Sequence, residues 1–198
     1  MKVLGISGSL RERSFNTALL RATQELAPPD MQIEIFDLAP IPIYNDDVRL
    51  AGYPPEVSKF RDAIRAADGV IIASPEYNRS IPGVLKNAID WASRPPDQPF
   101  ACKPMAFMGA SNGALGAAFA NHHLRQIFVY MDARMVNGPE VMIGDARSKF
   151  DVSLNLVHEP TRKFVSDHLK KLAALIRTTR SSVRDPDASG LPPPTPLQ

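Results

Sequence analysis

Short continuous apolar runs alternate along the chain with stretches in which apolar residues recur at three- and four-residue spacing. Residues 3–6, 70–73 and 105–110 are near-continuous apolar runs, the pattern of strands buried on both faces. Gln32-Ile33-Glu34-Ile35 alternates instead, as a half-exposed edge strand does. Leu19, Ala22 and Leu26, then Val57, Phe60 and Ile64, each fall on one face of a helix, and residues 84–92, 115–130 and 161–176 read as further helices. Met135 and Val136 supply a last strand.

Strands that alternate with helices need crossover connections, so the pattern predicts one α/β domain built on a parallel sheet. Five strands in this order predict a flavodoxin-like five-stranded sheet, order 2-1-3-4-5, with helices on both faces. Ligands of such sheets sit beyond the carboxyl ends of the strands, where the order reverses. The loops after the first, third and fourth strands are therefore expected to converge. Residues 1–180 form the expected domain. From Ser181 the composition turns to Ser, Asp, Gly and Pro and ends P-P-P-T-P-L-Q, so residues 181–198 are expected to be a disordered tail. Residues 40–55, with Tyr44, Asn45 and Tyr53, make a connection long enough to be mobile or to border a site.

The first of these loops, G-S-L-R-E-R-S-F-N from Gly8 to Asn16, joins the first strand to a helix. Amides at a helix start are unpaired and carry the positive end of the helix dipole, so an anion docked there satisfies several donors. Ser9, Ser14 and Asn16 add neutral donors, and Arg11 or Arg13 a charged one. The same residues serve equally as a polar turn in which Ser14 or Asn16 caps the helix. Gly5 and Gly8 fit neither the dinucleotide G-x-G-x-x-G spacing nor the NTPase loop, and no lysine follows to reach further phosphates. A mononucleotide is the implied ligand.

The second loop, Ser74-Pro75-Glu76-Tyr77-Asn78-Arg79-Ser80-Ile81-Pro82-Gly83, is stiffened at both ends by proline. It offers Tyr77 and backbone groups to a planar heterocycle, or is simply a tight strand-to-helix connection with Pro82 at the helix start. The third, Gly109-Ala110-Ser111-Asn112-Gly113-Ala114-Leu115-Gly116, is small enough for a flat ligand to approach the backbone, and is also what an ordinary turn looks like.

Taken together, the G-S-L-R-x-x-S-x-N loop, the S-P-E-Y-N-x-S-I-P-G-V-L-K-N-A-I-D-W block and the G-A-S-x-G-x-x-G loop leading to His123-Leu124-Arg125-Gln126 resemble the NADPH-dependent FMN reductase family, which includes quinone, azo-dye and chromate reductases. The resemblance runs in order over residues 3–138. It implies that Ser9, Arg11, Ser14, Phe15 and Asn16 hold the FMN phosphate. It implies further that Pro75, Glu76, Tyr77 and Asn78 border the isoalloxazine, with Ser111 and Gly113 nearby. One departure is Ala117-Ala118-Phe119-Ala120-Asn121-His122, where many relatives are more polar.

The chemistry then expected is hydride transfer from NADPH or NADH to flavin, followed by two-electron delivery to a quinone, an azo compound, free flavin or a metal oxyanion. No protein catalytic residue is required for hydride transfer, and Tyr77 or a water is the candidate proton donor to the acceptor. The alternative is a flavodoxin-like FMN electron carrier without direct NAD(P)H turnover, although carriers of that kind are usually acidic and this chain has a net charge of +2. A third possibility is a flavin sensor that binds without being reduced. Lys170, Lys171, Arg177, Arg180 and Arg184 cluster late in the chain, on what reads as a solvated helix and not a nucleic-acid surface.

His122 and His123 are consecutive on a predicted helix and so about 100° apart, poorly placed to share a metal, and His158 and His168 lack an acidic or thiol cluster in the sequence around them. No metal is expected. The single cysteine, Cys102, reads as a packing residue and fits a reducing compartment. With no run approaching the roughly 20 apolar residues of a membrane span, the expected location is the cytoplasm, without membrane insertion. The aromatics Trp91, Phe119, Phe128 and Tyr130 suggest subunit contacts in a homodimer or homotetramer, or core packing.

Overall fold

The structure, a computed structural model, describes residues 1–184, with side chains described as far as Ser181. The elements in chain order are β1 (Lys2–Ser7), α1 (Phe15–Leu26), β2 (Gln32–Phe36), α2 (Asp46–Ala51), α3 (Pro55–Ala66), β3 (Gly69–Ala73), α4 (Gly83–Ala92), β4 (Pro104–Ala110), α5 (Ala118–Tyr130), β5 (Arg134–Met135), β6 (Val141–Ile143) and α6 (Glu159–Arg184). The sheet is parallel with order β2-β1-β3-β4-β5, as the alternation of runs predicts. Its fifth position is made of two pieces. β5 pairs with the start of β4 (Pro104 with Arg134), and β6 pairs with its end (Ala110 with Ile143). Only the first piece is expected from the sequence, because Val141-Met142-Ile143 is too short to carry a period.

The near-continuous strands do what such runs require: β3 and β4 are buried along their whole length, while β2 keeps an exposed alternation at the edge. Successive strand residues face opposite layers. Leu4, Ile6, Val70, Ile72, Met105 and Phe107 pack beneath α3, α4 and α5. Val3, Ile71, Ala73, Ala106 and Met108 face α1 and α6.

Several expectations need correction. The helix expected over residues 115–130 begins at Ala118, because Ala117 adopts a left-handed backbone (φ 69°) that cannot lie inside a helix. The helix expected to end at Ile176 runs to Arg184 and so includes Ser181, and the rest of the expected tail, residues 185–198, lies outside the described residues. Residues 40–55 contain α2, are pinned to α4 and are not among the residues that line the cleft at the carboxyl edge of the sheet. There Trp91 Nε1 and Asn87 Nδ2 both donate to the Pro42 carbonyl (2.8 Å each), and Tyr44 N donates to Asn87 Oδ1 (2.7 Å). Trp91 and Phe128 are fully buried, so of the aromatics considered for subunit contacts only Phe119 and Tyr130 reach the surface.

His168, on α6, is completely buried, and neither ring nitrogen has a well-aligned partner. Burial pushes its pKa down from 6.5 to about 4, the Arg125 and Lys171 cations push the same way, and the Pro139 carbonyl opposes them. The folded state therefore holds this imidazole neutral, while the unfolded chain takes up a proton as pH falls through 6.5. Stability present above that pH is lost progressively until the folded form also protonates near pH 4. The expected cost by that point is roughly 3 kcal/mol. Denaturant titrations at pH 7 and pH 5 should show a drop for the native chain that His168→Leu largely abolishes.

Candidate functional site

Three loops leave the carboxyl edge of the sheet side by side because the parallel ladder continues one residue past each strand. Gly8 N donates to Ala73 O (2.8 Å), Ser74 N to Met108 O (3.0 Å) and Ser111 N to Ile143 O (3.0 Å). Gly109 is where the second and third loops touch. A Cβ there would come within 2.8 Å of Ala117 Cβ and 3.1 Å of the Ser74 carbonyl, so only glycine lets them meet.

The loops enclose a cleft of roughly 550 Å³, within the range of small-molecule sites. Ser9, Arg11, Ser14, Phe15 and Asn16 line it from the first loop, Pro75, Glu76 and Tyr77 from the second, and Ser111 from the third. Of the residues singled out from the sequence, Asn78 and Gly113 stand outside the lining. Asn78 sits at the tip of a two-residue hairpin in which Tyr77 and Ser80 exchange both backbone hydrogen bonds (3.0 Å each). Asn78 (φ 51°) and Arg79 (φ 62°) both take the left-handed conformation that such a turn demands. Gly113 donates its amide to Ser111 Oγ (3.1 Å) and so shapes the loop that carries Ser111.

Ser14 is the N-cap of α1. Its Oγ accepts from the amides of Asn16 (3.2 Å) and Thr17 (3.4 Å), so the cap does not use the Phe15 amide at the helix start. The cap and the cradle are thus one structure, and the two readings of this loop are compatible. Asn16 turns inward. Its Nδ2 donates to Ala110 O (3.0 Å) and its Oδ1 accepts from Ala110 N (2.9 Å), so one buried amide joins α1 to the end of β4. Both polar atoms of its side chain are engaged in this pairing.

Glu76 has its own task as well. Its Oε2 accepts from Phe119 N (2.8 Å) and Ala120 N (3.3 Å), supplying to α5 the cap that Ala117 cannot. The Arg79 guanidinium lies 4.5 Å over the Phe119 ring, and Ser80 Oγ is 3.0 Å from His123 Nδ1. The second loop is therefore anchored on α5 by charge-assisted hydrogen bonds, a cation–π contact and a polar contact.

A fourth wall has no counterpart in the sequence reading. Between β6 and α6, Arg147, Phe150, Asp151, Val152 and Leu154 complete the cleft. The Phe150 ring packs on Phe15 (5.3 Å between centroids), and Arg13 donates to the Val152 carbonyl (2.9 Å). The Asp151 carboxylate is occupied inside its own turn, accepting from Ser153 N, Asn155 N and Asn155 Nδ2, which hold its pKa below the usual carboxylate range. The one available signal, Phe150 after a run of small and charged residues, has neither helical nor strand periodicity.

The donors of the cleft suit the group that the sequence motifs imply. They include the serine hydroxyls of Ser9 and Ser14, a helix-start amide and the guanidinium of Arg11, which has no side-chain partner among the described residues. No acidic residue occupies the first turn of α1. This is a fit for one terminal phosphate, with Pro75, Tyr77 and Ser111 lining the rest of the cleft.

Fold and cleft together define a flavodoxin-like α/β protein with a loop-lined cleft at the carboxyl edge of its sheet. The chain belongs to the NADPH-dependent FMN reductase family, whose profile matches residues 1–148. It is 51% identical over 180 residues to an NAD(P)H-dependent FMN reductase of Pseudomonas aeruginosa, covering 91% of this chain and 97% of that one. It is 42% identical over 181 residues to a 2-hydroxy-1,4-benzoquinone reductase of Burkholderia sp, covering 91% and 98%. Among solved structures it resembles FerB, a flavoenzyme NAD(P)H:(acceptor) oxidoreductase from Paracoccus denitrificans, with a TM-score of 0.83 at 34% identity over 90% of this chain and 98% of that one.

Replacing Asn16 with Ala removes both bonds to Ala110 and leaves a buried N–H and C=O without partners. The expected loss is about 2–4 kcal/mol of folding stability, read from urea denaturation of the flavin-free protein.

Proposed function

We propose that the protein is an FMN-dependent NAD(P)H oxidoreductase that takes hydride from a nicotinamide and passes two electrons to a small acceptor. Quinones, azo compounds, free flavin and metal oxyanions are the acceptor classes that fit a shallow site. The observation that carries this reading is the meeting of the three loops at one cleft whose donors suit a single phosphate. FMN, when bound, supplies the hydride and electron chemistry.

The chain's own residues bind and orient. Ser9, Arg11, Ser14 and the Phe15 amide hold the phosphate, with Asn16 fixing the helix start behind them. Pro75, Glu76 and Tyr77 border the ring, and Ser111 faces them from the third loop. Asn78 and Gly113 act by setting the turns that present Tyr77 and Ser111. Tyr77, 47% exposed, stands at the mouth, where its hydroxyl can protonate an acceptor. The relatives in the comparisons are named as reductases, which favours an enzyme over an electron carrier.

A second groove, of roughly 1280 Å³, runs between α4 and α5 and shares no lining residue with the first. Beside it α5 exposes Val129 and Tyr130 by 67% and 73%. We assign this face to contact with a second copy of the chain, forming a homo-oligomer. Among the described residues no helix is long and apolar enough to cross a membrane, and with Cys102 as the single thiol we place the protein in the cytoplasm.

Purified protein should bind added FMN, and NADPH should bleach the bound flavin anaerobically. Steady turnover with a quinone and no partner protein excludes the carrier. Arg11→Ala should weaken FMN by about 1–3 kcal/mol in a fluorescence titration, and unchanged affinity would reject its contact with the phosphate. Sedimentation should show an oligomer at micromolar concentration that Tyr130→Asp dissociates.

A further inference from the structure

The fourth wall carries a cation that neither the motifs nor the relatives' names assign. Arg11, Arg13 and Arg147 all line the cleft. Arg13 is committed, because its guanidinium donates to the Val152 carbonyl. Arg147 is exposed and its guanidinium has no partner among the described residues, as is also true of Arg11.

The backbone of Arg147 is nevertheless held firmly. Its amide donates to Asn112 Oδ1 (3.1 Å), and the preceding amide of Ala146 donates to the Ser111 carbonyl (3.0 Å). Three residues later Phe150 packs on Phe15, the first residue of α1. The backbone of Arg147 is thus fixed between the third loop and the start of α1, in the same cleft as Arg11. An unpaired guanidinium on so rigid a support is what planar recognition of a phosphate uses. The nearby Asp151 carboxylate does not compete for it, being occupied by Ser153 and Asn155.

We propose that Arg147 is a second phosphate-anchoring cation of the flavin site, closing on the FMN phosphate from the fourth wall while Arg11 and the helix-start amide hold it from the first loop. The inference rests on the FMN reading above, and it makes a prediction about the phosphate alone. Two charges on a phosphate dianion neutralise it, and removing one leaves the ring contacts untouched.

The test is a pair of fluorescence titrations of flavin-stripped protein, one with FMN and one with riboflavin, which lacks the phosphate. For Arg147→Ala, FMN affinity should fall by about tenfold to a hundredfold, the range of a hydrogen bond to a charged group. Riboflavin affinity should stay within about twofold, which also reports that the cleft is folded, and Arg147→Lys should restore part of the loss. Equal weakening of both flavins would mean that Arg147 only shapes the wall and would overturn the proposal. So would unchanged FMN affinity, including the case in which the KM for NADPH rises while that for NADH does not, which would assign Arg147 to the nicotinamide co-substrate. If the unaltered protein binds neither flavin, the FMN reading itself falls and this proposal with it.

Discussion

The site depends on the register of three parallel strands. β1 and β3 end level with one another, β4 runs two residues further against β6, and each ladder continues by one amide into its loop, from Gly8 to Ala73, Ser74 to Met108 and Ser111 to Ile143. A slip of one residue in any pair would turn a strand's buried side chains to the wrong layer, so the register is set by the two cores and not by the loops. The loops inherit their positions from the packing of Val3, Ile71 and Ala106 on one face and of Leu4, Ile72 and Phe107 on the other. Binding geometry is in this sense a by-product of hydrophobic alternation.

Each loop is then tied to a neighbour through an atom the backbone cannot spare. Asn16 closes α1 onto β4, and Glu76 closes the second loop onto α5. The left-handed turn at Asn78 and Arg79 costs backbone energy, and the Arg79 contact with Phe119 offsets part of it. The result is a cleft whose walls are held by the protein's own bonds. Its remaining donors, among them Arg11, are left for a ligand.

The strand order and two-layered core are legible in the sequence because continuous apolar runs and helical spacing report burial directly, as at residues 70–73 and at Val57, Phe60 and Ile64. That the first-loop residues line one cleft is legible because serine, arginine and asparagine before a helix have few places to go. Three features escape. Glu76 reads as a ring neighbour, yet its carboxylate caps a helix more than forty positions away in sequence, a pairing that only the fold creates. Ala117 looks like a helix residue by composition, and its reversed backbone is imposed by the packing of the third loop. The wall from Arg147 to Leu154 is irregular chain, whose contacts with Phe15 and Arg13 leave no periodic trace.

Arg13 reaches across the cleft to a main-chain oxygen, that of Val152, and not to a side chain. The Val152 side chain itself is 88% exposed. Evolution can therefore repaint the outer tip of this segment freely, altering what an approaching molecule meets at the rim, without loosening the tether beneath. A scaffold so arranged separates the part that grips from the part that greets, which is how one framework can come to serve acceptors of different shape.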